Sequence, residues 1–190
     1  MTAEAQVPSA RQEELLELAY RYALGHGLTG MSLRPLAEAI GSSPRVLLYL
    51  FGSKDGLVQA LLARSRREEL ALLADVRAQG GGAAEAVGRL WEWLAAPGHA
   101  GLLRLWTEGY AHSLVEPDGP WGGFAARSVQ DWLTLLADVL GPGHAPEEPT
   151  ALLAVLRGGM LDLLATGDAG RTTAAVRHQV ALLLSRSATS

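Results

Sequence analysis

Cysteine and asparagine are missing from this 190-residue chain, and lysine and isoleucine occur once each, as Lys54 and Ile40. Without cysteine there is no disulfide framework, no thiolate zinc site and no cysteine nucleophile. No run of about 18 apolar residues occurs, which argues against a membrane span. The opening MTAEAQVPSARQEE lacks the apolar stretch of a secretory signal. The expected location is therefore the cytoplasm, with no membrane partner. Catalytic motifs are missing too: there is no HExxH, no P-loop and no GxSxG. GHGLTG at 25–30 has the glycine spacing of a dinucleotide fingerprint, but that motif needs a strand before it and a helix after it. Here both flanks read as helix. His99 and His112 have no carboxylate or second histidine at helical metal-ligand spacing. No enzyme, no metal and no cofactor is expected.

What is present is apolar and helical. Hydrophobic residues make up 48% of the chain, enough for a real core. Long period-two alternation is lacking, so the expected fold class is all-α, with about nine helices. Ser9 and Gln12 have capping-box spacing at the start of a first helix, with Leu15, Leu18, Ala19 and Tyr22 on one face and Gly25 and Gly27 at its end. A second short helix follows Ser32, with Leu33, Leu36, Ala37 and Ile40 inward and Gly41 as its C-terminal stop. A third starts at Ser43 with Pro44 at its first position and stops at Gly52. Ser53 caps a fourth that continues to about Ala78. Five more segments, at 83–95, 99–115, 120–140, 150–166 and 171–186, read as helices.

Charge is unevenly spread. The net charge is −4. Yet residues 32–67 hold six basic residues (Arg34, Arg45, Lys54, Arg64, Arg66 and Arg67) against Glu38 and Asp55, a local excess of +4. Residues 71–190 hold eight arginines against twelve acids. A basic segment in an otherwise acidic chain is the footprint of a local phosphate-facing surface. The same segment contains two short helices joined by a tight turn, which sets them at a steep angle. The second can then enter a major groove while the first crosses the backbone.

Over these residues the sequence resembles the TetR (tetracycline-repressor-like) family. LLELAYRYALGHGLTGMSLRPLAEAIG looks like the first two helices and their turn, and SSPRVLLYLFGSKDGLV like the recognition helix and the start of the fourth. Tyr49, Phe51, Ser53, Lys54 and Leu57 carry most of the likeness. The chain departs at Leu50, where many members have a polar residue, and in the apolar Val46, Leu47 and Leu48. The resemblance implies an N-terminal helix-turn-helix DNA-binding domain (1–60) and a C-terminal ligand-binding and dimerisation bundle (61–190).

On this reading the DNA-facing residues are Ser32, Arg34, Ser42, Ser43, Pro44, Arg45, Val46, Tyr49 and Lys54. An arginine early in a recognition helix can fork onto guanine O6 and N7. The Tyr49 hydroxyl can donate to a phosphate. Lys54 sits at the positive end of a helix dipole, a poor place for a cation unless an anion docks there. Ser32 and Ser43 double as caps. The other reading of Arg34 and Arg45 is a solvated charge and of Tyr49 core packing. Arg64, Arg66 and Arg67 are expected on a solvated face, and Arg104 is expected to pair with Glu108.

The resemblance places a ligand cavity in the bundle. Trp91, Trp106, Tyr110, Trp121, Phe124, Trp132 and Met160 are its candidate lining, suited to an apolar or aromatic molecule; plain core packing is the other reading. Trp93 lies on a different face from Trp91. The resemblance also implies a homodimer through the last two helices. Leu152, Val155, Leu156, Gly159, Met160 and Leu163 would form one flank, Val176, Val180, Leu183 and Leu184 the other, with Gly158 and Gly159 allowing close approach; a core-only role is the other reading. The function implied is a ligand-responsive repressor that binds a palindromic double-stranded DNA operator and is released by a small-molecule effector. A helical small-molecule-binding protein with degenerate or lost DNA binding remains the alternative.

Overall fold

Serine hydroxyls cap three of the first four helices. In the computed structural model, which describes residues 9–187, with side-chain surroundings to Ser185, Ser9 accepts from the Gln12 amide and opens α1 (Ala10–His26). α2 (Leu33–Ala39) is followed by a Schellman turn: the Ser42 amide reaches back to the Ala37 carbonyl at 2.8 Å and the Gly41 amide to Glu38 at 3.3 Å. That closure needs a left-handed residue, and Gly41 supplies it with φ of 64°. Ser43 caps α3 (Pro44–Phe51) on the Val46 amide, and Ser53 caps α4 (Lys54–Gln79) on the Gly56 amide. α5 (Ala83–Ala95), a 3₁₀ turn (Pro97–His99), α6 (Ala100–Val115), α7 (Phe124–Leu140), α8 (Glu148–Thr166) and α9 (Ala169–Ser187) complete the chain. No strand occurs among the described residues. The architecture is all-α, a helix-turn-helix head followed by a helical bundle.

Two buried clusters hold it together. One gathers Leu15, Ala19, Tyr20, Leu36, Leu47, Leu57 and Leu61 from α1–α4, and also takes in Leu102 and Leu105 of α6 with Trp121 and Phe124. The other joins the lower half of α4 to α5, α7, α8 and α9 around Trp91, Leu135, Leu136, Leu152 and Leu156. α4 runs through both. The head is therefore bonded to the bundle through its core as well as through the chain.

Several boundaries and faces differ from expectation. The helix expected at 120–140 begins at Phe124, so Trp121 lies in the preceding turn. On α1 the fully buried aromatic is Tyr20, while Leu18 and Tyr22 are only partly covered. The rotation follows α6 and α4, which pack against a neighbouring stripe. Leu152, Leu156, Met160, Val176 and Val180 are buried inside their own protomer. A Cβ on Gly159 would run into Val176 and lie 3.0 Å from the Trp91 ring. These residues, expected on a dimer flank, are intramolecular core, because α5 fills the groove between α8 and α9. Gly158, Leu161 and Leu182 remain outside.

α8 is the one described helix that is by itself long and apolar enough to cross a bilayer; α3 and α4, set at 70°, would pass together as a broken span. Only 28% of the apolar window of α8 is buried, so much of its outer face covers nothing in the protomer.

Candidate DNA-binding surface and ligand cavity

Leu47 anchors α3 in the head core, which fixes the helix's outward face. Leu50 and Phe51 are half-buried, and Gln12 of α1 donates to the Leu50 carbonyl at 2.9 Å, tying down the end of the helix. Arg45, Val46, Leu48 and Tyr49 are exposed, Tyr49 to 86%. A tyrosine so far out of the core is not packing. Ser43 and Pro44 begin the same helix, and Ser42 lies in the turn before it with its hydroxyl buried and without a hydrogen-bond partner.

The turn from α3 into α4 depends on Gly56, a residue absent from the expected site. A Cβ there would overlap the Phe51 carbonyl oxygen, so no other residue lets α4 fold back against α3. Lys54 is the first residue of α4, at the positive end of the helix, and is exposed. Ser32 precedes α2 but makes no capping hydrogen bond, contrary to expectation, which leaves its exposed hydroxyl available. Arg34 is exposed one residue into α2. Among the described residues, Arg34, Arg45 and Lys54 take part in no ion pair. Unpaired cations, one nearly bare tyrosine and hydroxyls on one small motif can bind phosphates and base edges.

Of the segment's other basic residues, Arg67 is exposed, as expected, and in no ion pair among the described residues, while two are held in place. Arg64 bonds Glu17 and Glu68 and stacks over the Tyr20 ring at 4.6 Å, and Arg66 pairs with Asp131 at 2.6 Å. Both were expected on a solvated face; tertiary neighbours from α1 and α7 captured them. The expected Arg104–Glu108 pair is also corrected. Glu108 accepts instead from the Leu28 and Thr29 amides at 2.6 and 3.1 Å, clasping the α1–α2 loop to α6. His112, on the same face, reaches Thr29 at 3.3 Å and stacks on Trp121.

The bundle holds a small cavity of about 30 Å3 between α4, α6, α7 and α8. Trp106, Trp132 and Met160 line it, together with Trp93 and Leu103. The other expected lining residues lie elsewhere. Trp91 is core between α5 and α9, donating to Thr173 at 3.1 Å. Trp121 and Phe124 belong to the head cluster. Tyr110 stands behind the wall, its ring 4.8 Å from that of Trp106 and its hydroxyl accepting from the Arg157 guanidinium at 3.2 Å.

Two charged residues on that wall escaped the sequence reading: Glu69 of α4 and Arg157 of α8. Ser128 of α7 joins them. Its hydroxyl donates to Glu69 Oε1 at 2.8 Å and accepts from Trp106 Nε1 at 3.2 Å and Arg157 at 3.3 Å. Trp132 Nε1 also donates to Glu69 Oε1, at 2.5 Å. Glu69 Oε2 is buried with no partner. Burial pushes the Glu69 carboxyl above the ordinary carboxylate range, against the pull of the Ser128 and Trp132 bonds. Burial also lowers the Arg157 guanidinium, with Tyr110 and Glu69 opposing it. The only sequence signal for this hub is Glu69 falling on the stripe of Leu62, Ser65, Leu73 and Val76 along α4.

Comparison with known proteins agrees with the head. Residues 15–61 match the family model described as bacterial regulatory proteins, tetR family. The HTH-type transcriptional repressor AcnR of Corynebacterium glutamicum is 36% identical over 74 residues, covering 39% of this chain and 37% of that protein. The chain thus matches little over a third of that repressor's length. A TetR-family transcriptional regulator from Streptomyces coelicolor shares the whole fold, with a TM-score of 0.77 at 19% identity, covering 96% of this chain and 92% of the other. The multidrug binding protein EbrR, solved with proflavin, aligns with a TM-score of 0.65 at 25% identity, over 91% of this chain and 99% of that one.

Proposed function

We propose that the chain, whose residues 15–61 match the tetR family model, is a dimeric, ligand-released repressor of that family. Residues 1–60 form the DNA-binding head and 61–190 the sensing and dimerisation bundle. The protein works in the cytoplasm and catalyses no reaction. Each head presents α3 to the major groove of a half-site in a palindromic operator. Arg45 and Val46 face base edges, with Pro44 setting the helix start. Ser32, Arg34, Ser43, Tyr49 and Lys54 hold phosphates, whereas Ser42, expected among them, has its hydroxyl buried in the turn. The observation that carries this reading is the unpaired, exposed set Arg34, Arg45, Tyr49 and Lys54 on the two helices of the motif and the helix that follows. Its neighbours Arg64 and Arg66, by contrast, are neutralised in place.

The effector enters the cavity beside Trp106, Trp132 and Met160. At about 30 Å3 that cavity holds a water or two, far less than the roughly 300 Å3 of a small-molecule site. An effector of that size must push α4, α7 and α8 apart to enter. α4 links the two events: Glu69 and Lys54 lie fifteen residues apart on one helix, roughly 22 Å at 1.5 Å per residue. A shift of α4 at Glu69 re-aims its amino end and the head bonded to it. Two heads whose spacing has changed no longer fit successive grooves together. A ligand does this only by preferring the altered spacing. The outer faces of α8 and α9, with Gly158, Leu161 and Leu182, form the dimer contact with a second copy.

The test is fluorescence anisotropy with duplexes from the protein's own upstream region at two salt concentrations. Saturable binding that weakens steeply with salt is expected. No binding at low salt would overturn the reading. It would favour the alternative, a ligand binder without a DNA role, for which the apolar exposed Val46 and Leu48 are the supporting observation.

A further inference from the structure

Glu69 is 7% exposed, yet one of its two carboxylate oxygens has no partner, and it stands on the wall of a cavity lined by three tryptophans. A buried acceptor left empty is costly unless something donates to it at another stage of the protein's work. The rest of the hub is satisfied: Ser128 donates once and accepts twice, and the Trp106 and Trp132 N–H groups are both committed. The gap is thus specific, and it calls for a hydrogen-bond donor.

Arg157 shows what shape that donor takes. Its guanidinium is a flat, delocalised cation lying 5.1 Å from the Trp106 ring centre and 5.0 Å from that of Tyr110. Its donors go to Tyr110 and Ser128 rather than to Glu69 Oε2, and it makes no ion pair with Glu69 within 4.0 Å. It is held at the edge of the cavity by aromatic faces and hydroxyls alone. A planar cation from solution can take over the same faces while also reaching the carboxylate, which Arg157 does not. An anion would approach Arg157, but only alongside the buried Glu69 charge, with Asp131 nearby.

We propose that the effector is a planar aromatic cation carrying N–H donors, which stacks on Trp106 and Trp132, hydrogen-bonds Glu69 Oε2 and displaces Arg157. This rests on the cavity being the effector site, as proposed above. Displacing Arg157 frees a side chain of α8 and lets Glu69 pull on α4. One event then reaches both the dimer helix and the head.

The experiment uses full-length protein, freed of nucleic acid, titrated with proflavin and with anthracene-9-carboxylate, following tryptophan fluorescence. Expected is saturable quenching by proflavin, with the carboxylate at least about tenfold weaker. Glu69→Gln should weaken proflavin about tenfold, and Arg157→Met should tighten it, since the ligand no longer evicts a resident cation. Equal proflavin binding by wild type and Glu69→Gln, or a preference for the carboxylate, would overturn the cation while leaving the cavity as effector site. Quenching by neither probe in wild type or Arg157→Met would overturn the site itself. If Glu69→Gln does not fold, Arg157→Met decides: tighter proflavin binding supports the proposal and weaker binding overturns it.

Discussion

The head and the bundle each keep charged groups without full partners, in opposite settings. On the head, Arg34, Arg45 and Lys54 stand in water, where an unpaired cation costs little until a phosphate arrives. In the bundle, Glu69 is sealed among indoles and leucines, where a bare carboxylate oxygen is a standing penalty. The same lack of a partner thus means readiness on the surface and stored tension inside. The surface groups set how tightly a polyanion is held, and the buried one sets how much the bundle gains by changing shape.

The largest effect tests the scaffold that both regions share. Gly56→Ala should lower stability by about 3 kcal/mol, read from urea denaturation, because the new methyl overlaps the Phe51 carbonyl. An unchanged midpoint would mean that the α3–α4 turn is softer than it looks. Next come the head cations. Arg45→Ala should cost about 2 kcal/mol of operator affinity and relax sequence preference, with thermal stability unchanged. Lys54→Ala should weaken all duplexes alike by about 1 kcal/mol and reduce the salt slope by about one. If either change lowers the melting temperature instead, that side chain is structural and the contrast between the regions fails there.

The smallest effect belongs to the buried carboxyl. Its folded-state pKa is raised by burial, so its contribution to stability is full at low pH and is lost as pH rises through that value. Asp131 acts in the same direction and Arg157 against it. Glu69→Gln, free of ligand and at fixed protein concentration, should therefore melt about 1–2 °C above wild type at pH 8. The gap should close as pH falls. A gap that widens in acid would show that the ionised carboxylate is stabilised by its neighbours.

Local patterns in the chain were readable wherever the responsible bonds are local. Ser43 and Ser53 reach amides three residues on, and Gly41 and Gly52 supply turns that need positive φ, so the sequence alone located α3 and both its ends. The outward placement of Arg45, Tyr49 and Lys54 came from the family resemblance, and their exposure separates it from core packing for Tyr49. Distant partners were not readable. Nothing near Arg64 in the chain announces Glu17, and nothing near Glu108 announces the Leu28 and Thr29 amides. The tryptophans were visible as aromatics, but only packing separated Trp106 and Trp132 at the cavity from Trp91, Trp121 and Phe124 in the cores. A charged Glu69 reads as a solvated residue until α7 and α8 close over it.

What the order of residues determined by itself was the number of helices, the bounds of α3 and the caps at Ser9, Ser43 and Ser53, since each depends on neighbours within about one turn. Which apolar stripe turns inward, which arginines are neutralised and which carboxylate is buried were decided only when helices far apart in the chain met. Burial and pairing are properties of that meeting: a side chain has no inside until a second helix covers it.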